Sequence, residues 1–316
     1  MTNPKQSAQK STLVDNKAAK TKPGFWFFFA IFMSIIGGVI APQLKAADVE
    51  TVPSFQVEVI GEGKPVLLIP GLMSDSRVWQ HTAAALKQDY QLHLISVAGF
   101  AGTPAIAGEL LPRLKQDLLQ YIATQQLQQP AIVGHSLGAF LAFSLASSAP
   151  EQIGTVVAVD GLPYIAPIFS SNPATQVADM QQQALQLKAY YQQLTGEQLK
   201  AGAAQGIFIQ ARAPEHQQLV LEMAAASDAN SVGQAMYELL TTDLRPEVTA
   251  ITSKVWLLGA SAALPAAQQQ QAAALYQQQI AGIANATLLM NTNSRHFMML
   301  DEPEWFIRTL RQALQE

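Results

Sequence analysis

Residues 131–140 read AIVGHSLGAF, and within them Gly134, Ser136 and Gly138 make the pattern G-x-S-x-G. A serine hydroxyl is a weak nucleophile until geometry and neighbours activate it. This spacing supplies the geometry. The serine is expected on a sharp, strained turn from strand to helix, with glycines on both sides because any side chain there would collide across the turn. The turn lifts the hydroxyl above the sheet, and the N-terminus of the following helix favours negative charge. The backbone N–H of Leu137 is then aimed at a developing oxyanion, as attack on an acyl carbon requires. The short pattern alone is weak, and a tight turn in any α/β protein produces it. Here the β-rich AIV precedes it and LGAFLAFSLASS follows it, which is the strand–turn–helix context the chemistry needs.

A nucleophile held this way needs a sheet beneath it, and the sequence supplies one. From residue 54 onward, short β-rich runs alternate with helical patterns, which predicts a mostly parallel sheet flanked by helices on both faces. Strands are expected at Phe55–Ile60, Val66–Ile69, Leu92–Val97, Ala131–Val133, Thr155–Val159, Lys254–Leu258 and Ala286–Met290. Helices are expected at Val78–Gln88, Gly108–Gln125, Leu137–Ser148, Val232–Thr242, Ala266–Ile280 and Glu302–Gln315. Uninterrupted apolar runs such as VLLI and VVAV suit strands buried on both faces. The rhythm breaks between residues 166 and 230, where Val177–Leu194 and Glu215–Ala226 read as helices with no convincing strand between them. That interval reads as an inserted helical cap, dividing the core into residues 47–165 and 231–316.

From about Phe55 to the C-terminus the chain resembles the α/β-hydrolase family, and three further segments carry the resemblance. VLLIPGLMSDSRVW (66–79) looks like the strand and loop that give such enzymes their second oxyanion donor, which implies the backbone N–H of Leu72; Pro70–Gly71 stands where His-Gly is usual. NTNSRHFMMLDEPEWF (291–306) is similar to the family's histidine loop and implies His296 as general base. The remaining histidines fit less well: His135 adjoins the serine and is expected to point away from it, His81 falls on an early helix, His93 in a strand and His216 in the cap. The acid departs from the commoner arrangement, because LLGASAALP places Ala262 where many members have Asp. VVAVDGLP instead puts Asp160 at the C-terminal end of the strand after the nucleophile helix, where ligands gather in open α/β sheets. Some branches of the family keep their acid there. Asp160 is therefore taken as the acid, against the alternative of a turn-forming Asp before Gly161, with Asp243 as the runner-up acid and Asp301 as a helix cap.

The resemblance implies a triad of Ser136, His296 and Asp160 cleaving a small or medium carboxylic ester, thioester or lactone through an acyl-enzyme. A serine at the turn disfavours haloalkane and epoxide chemistry, for which the family uses Asp. Two alternatives share these residues: a binding protein of the same fold that has lost catalysis, and a C–C hydrolase or cofactor-free haloperoxidase. Phe208, Met180, Met223, Met236, Tyr190 and Tyr191, in and beside the cap, are candidates for an apolar acyl pocket, although such residues more often pack helices together. An acyl pocket of that kind predicts faster cleavage of butyrate than of long-chain esters.

Composition bounds the rest. There is no cysteine, which excludes disulfides, thiolate nucleophiles and zinc–thiolate sites. No metal-ligand cluster, P-loop or GxGxxG pattern occurs, so no cofactor and no metal are expected. Residues 1–46 carry six lysines against one acid, whereas the remainder has 13 Lys and Arg against 22 Asp and Glu, a net of −9. An acidic body does not suggest a nucleic-acid partner. The glutamine runs at 268–271 and 277–279 alternate with Ala, Leu and Tyr and read as solvated helix faces. At the front, a lysine-rich stretch, the uncharged GFWFFFAIFMSIIGGVIA (24–41) and a small-residue exit at Ala46 make up a signal peptide, or a membrane anchor if uncleaved. Either outcome predicts export of the body, to the periplasm or beyond, or its attachment to the inner membrane with the body outside the cytoplasm.

Overall fold

Among the described residues, seven strands form one sheet in the order β1-β3-β2-β4-β5-β6-β7. The computed structural model describes residues 52–315, so the predicted leader, with its apolar segment 24–41, lies outside the described residues. The strands are β1 (Phe55–Ile60), β2 (Lys64–Ile69), β3 (Tyr90–Val97), β4 (Ala131–His135), β5 (Val156–Val159), β6 (Val255–Ala260) and β7 (Ala286–Asn291). Only β1 runs antiparallel, against β3; the other neighbours pair in parallel. The alternation predicted this mostly parallel sheet flanked by helices, and the whole is the α/β-hydrolase fold that the resemblance implied, with a helical insertion after β5.

The helices are α1 (Gln80–Leu86), α2 (Leu111–Thr124), α3 (Leu137–Ser148), α4 (Ala166–Ser170), α5 (Val177–Tyr191), α6 (Gly196–Gln205), α7 (Ile207–Gln210), α8 (Pro214–Ala225), α9 (Ala229–Thr241), α10 (Ala266–Gln279), α11 (Met298–Asp301) and α12 (Pro303–Gln315). Successive side chains of the central strands point to opposite faces, so each strand feeds two cores. Leu67 and Ile69 of β2 join α2, α3 and α9 on one side. Val66 and Leu68 join α1, α11 and α12 on the other, where Trp79 stacks on Phe306. Burial on both faces explains why β2, β4 and β5 read as continuous apolar runs rather than alternating ones.

Two boundaries differ from the sequence expectation for identifiable reasons. The first turn after residue 75 is a 3-10 turn, Ser76–Trp79, started by the Asp75 carboxylate accepting from the Arg77 N–H. The helix expected from Gly108 begins at Leu111, because its leading N–H groups are met by a distant side chain: Glu238 accepts from Leu110 and Leu111 at 2.9 and 2.7 Å. The insertion also holds α6, whose alanine- and glycine-rich sequence carries little apolar periodicity, and the four-residue α7 (IFIQ).

The strand order reverses around β2. The chain steps outward to β3 and then returns to the far side of β2 as β4, so a crevice opens between the C-terminal ends of β2 and β4. The loop after β2 and the turn after β4 carry Leu72 and Ser136. The ends of β5 and β7 lead to Asp160 and His296.

Candidate active site

Ser136 has φ 54° and ψ −113°, a conformation that L-residues rarely adopt. Its surroundings enforce it. The Ser136 N–H donates to the Val159 carbonyl at 2.9 Å, and the Ser136 carbonyl accepts from Ala139 and Phe140 as α3 begins. A methyl on Gly134 would strike the Gly138 carbonyl, and one on Gly138 would strike the Ile69 carbonyl and come within 2.8 Å of the Pro70 oxygen. The backbones of the turn and of the loop after β2 are therefore in direct contact. Gly71 completes that fit: an added methyl there would lie 2.9 Å from His135 Nδ1 and 3.1 Å from Ser136 Cβ. Leu137 is the first residue of α3, whose leading N–H groups have no partner within the helix.

His296 Nδ1 donates to Asp160 Oδ2 at 2.6 Å. That bond fixes the neutral imidazole with its proton on Nδ1 and leaves the Nε2 lone pair available as a base. The Asp160 side chain is only 8% exposed, and that of His296 is 23% exposed. Asp160 itself has a positive φ of 48°. Its other oxygen, Oδ1, accepts from the Ala260 N–H and from the Tyr276 hydroxyl, both at 2.8 Å. The carboxylate thus meets three donors. Tyr276 escaped the sequence reading, and its pattern AAQQQQAAALYQQQ contains nothing that could have singled it out.

Ser136, His296 and Asp160 line one cavity of about 1000 Å³, together with Leu72 and Leu137. The His296 ring bonds Asp160 and makes no hydrogen bond to the Ser136 side chain. Asp243 is elsewhere: it pairs with Arg245 at 2.6 Å. Asp301 is not a helix cap but a tie, accepting from the N–H groups of Arg212 and Arg295 at 2.8 and 2.9 Å. Of the six apolar residues suggested for the pocket, only Met236 lines it. Met180 and Met223 are buried in the packing between helices, while Tyr190 and Phe208 are exposed. The apolar walls come instead from Ile168 and Phe169 of α4, Val220 and Ala224 of α8, Leu239 of α9 and Leu275 of α10.

Residues 66–309 match the Alpha/beta hydrolase family. The chain belongs to that family. A pimeloyl-[acyl-carrier protein] methyl ester esterase of Aeromonas hydrophila subsp. hydrophila is 32% identical over 113 residues, 35% of this chain and 42% of that protein. The chain therefore matches well under half the length of that relative. Among solved structures, an esterase from Exiguobacterium antarcticum is 18% identical, with a TM-score of 0.67 over 83% of this chain and 96% of the other. The enol-lactonase from Burkholderia xenovorans LB400 gives a TM-score of 0.67 at 17% identity, over 83% and 96%. Likeness at such identity shows the fold.

The other histidines have different surroundings. His93 bonds Tyr121 and Gln91 at 2.7 and 3.1 Å, and exposed His81 lies 3.8 Å from Glu304. His135 is fully buried and bonds the histidine loop. Its Nε2 donates to the His296 carbonyl at 3.0 Å, and its ring lies 4.5 Å from both the His296 and Phe297 rings. A carbonyl only accepts, so Nε2 carries the proton, and the buried Nδ1 has no partner among the described residues. Burial, and then the neighbouring His296 imidazole, push His135 well below its ordinary value.

That direction has a consequence for stability. Below about pH 6.5 the unfolded chain binds a proton at His135 that the folded protein refuses, so stability falls with falling pH. The slope from this one group reaches about 1.4 kcal/mol per pH unit until the folded group titrates. Urea unfolding between pH 7.5 and 5 is expected to show a shallower decline for His135→Gln than for the wild type. Equal slopes would mean that His135 takes up its proton in the folded state.

Proposed function

We propose that the protein is a serine hydrolase that cleaves carboxylic esters with an apolar acyl part. The observation that carries this reading is the 2.6 Å pair between His296 and Asp160 on the wall of the cavity that holds Ser136 on its strained turn. In this reading Ser136 Oγ attacks the ester carbonyl while His296 Nε2 takes its proton. The N–H groups of Leu72 and Leu137 hold the oxyanion of the tetrahedral intermediate. The imidazolium, stabilised by Asp160, passes its proton to the departing alcohol, and a water deprotonated by the same imidazole then releases the acid from the acyl-enzyme.

The cavity walls support an apolar acyl group, since each buried methylene is worth about 0.8 kcal/mol. A volume of about 1000 Å³ sets no cut-off at medium chain length. On a p-nitrophenyl series, butyrate and octanoate are expected to exceed acetate in kcat/KM. A fluorophosphonate probe is expected to label Ser136. Labelling at another residue, or activity confined to peptides, would overturn the reading. Two features weigh against a binding protein that has lost catalysis: Asp160 fills the role left open at Ala262, and Pro70 leaves the loop after β2 packed on the turn. The lysine-rich front and its apolar segment support export of the body, which a periplasmic reporter fused after residue 46 would test.

A further inference from the structure

We infer that Tyr276 is a positioning residue: its hydroxyl holds the Asp160 carboxylate in the plane that orients His296, and so sets the strength of the base. The role rests on the reading of His296 as general base. Three observations converge on it.

The first is the division of labour between the two carboxylate oxygens. Oδ2 is left to His296 Nδ1, while Oδ1 is saturated by the Tyr276 O–H and the Ala260 N–H, each at 2.8 Å. A carboxylate pinned at one oxygen cannot rotate away from the imidazole bonded to the other. The second is the space made for the ring. Gly259 lies in β6 beneath it, and a methyl there would stand 2.9 Å from Tyr276 Cδ1 and against the Met290 sulfur. A glycine inside a buried strand weakens that strand, and here its empty face is where the tyrosine enters. The third is that the phenol remains a donor. Tyr276 is 8% exposed, and burial followed by the adjacent Asp160 charge pushes its ionisation well above the ordinary value.

The surroundings make the hydroxyl consequential. Facing Asp160 are His296 from the loop after β7 and Tyr276 from α10, with β6 offering only the Ala260 N–H. His135 of β4 lies behind the imidazole, kept neutral by burial. Arg295, next to His296, directs its guanidinium to the Ala211 carbonyl. No cation in contact with the carboxylate is available to replace the tyrosine among the described residues.

The test is Tyr276→Phe in the full chain, with p-nitrophenyl butyrate as the probe. Removing the donor leaves Asp160 more basic, so the imidazolium is held more tightly and must lose its proton at higher pH before it acts as a base. The acid-side midpoint of the kcat/KM profile is expected to move up by about half a pH unit, and kcat to fall about 10-fold with KM within about two-fold. The downfield proton resonance of the His296 Nδ1–H shared with Asp160 is also expected to shift, a readout that needs no turnover. A profile, kcat and resonance all unchanged would overturn the role. So would a raised KM with an unmoved acid limb, which is the signature of a cavity wall. If the wild type neither turns over the ester nor takes the fluorophosphonate at Ser136, the hydrolase reading fails, while the resonance still reports whether Tyr276 orders the pair.

Discussion

Replacement of Ser136 by alanine is expected to lower kcat on p-nitrophenyl butyrate by about 10⁴-fold or more, while the protein stays folded. The hydroxyl is the only group the change removes, and neither the Ser136 N–H to Val159 nor the helix bonds to its carbonyl involve the side chain. The backbone makes a second, opposite prediction at the same position. A residue at φ 54° and ψ −113° stores about 1–3 kcal/mol of strain. Alanine inherits that strain and glycine escapes most of it. Ser136→Gly is therefore expected to be as inactive as Ser136→Ala yet to melt higher, by a few degrees (about 2–4 °C for each kcal/mol recovered). Turnover preserved in Ser136→Ala would end the nucleophile assignment. Equal melting points for the two variants would show that the turn is not strained.

The same strain explains why this part of the site was legible in the sequence. A strained turn pressed against a neighbouring loop admits glycine alone at 134 and 138, so geometry leaves a mark in residue types. The strands were legible because burial on both faces demands apolar runs, and β1 and α3 were read with the bounds that the structure shows. Asp160 was legible as a carboxylate at a strand end, but its bond to His296 depends on how far β5 and β7 lie apart, which no local pattern encodes. Tyr276 and the cavity walls stayed hidden for a related reason. Their roles follow from helix rotation and from packing across the insertion, and a tyrosine among glutamines looks like any solvated helix face. The partner of His135 stayed hidden as well, because it is a backbone carbonyl 161 residues away.

Asp160→Asn is expected to be nearly as damaging as loss of the serine, for a reason the three donors make specific. An asparagine presents one carbonyl and one NH2 where Asp160 presents two acceptors. If the carbonyl faces His296, the NH2 confronts the Ala260 N–H, donor against donor in a buried site, and leaving such a group unpaired costs about 1–3 kcal/mol. If the carbonyl faces Ala260 and Tyr276, both donors are satisfied and the NH2 faces His296 Nδ1. The second arrangement wins on hydrogen bonds. It forces Nδ1 to accept, so the ring proton moves to Nε2, where it blocks the lone pair that should deprotonate Ser136. A wrong tautomer of this kind costs about 10⁴-fold in kcat. The expected signature is a collapse of kcat with KM nearly unchanged and the fold intact, because the cavity walls do not involve Asp160's charge. Asp243→Asn, which disturbs only the pair with Arg245, is expected to leave kcat within about two-fold. Wild-type turnover in Asp160→Asn combined with collapse in Asp243→Asn would hand the acid's role to the other carboxylate and undo the triad as drawn.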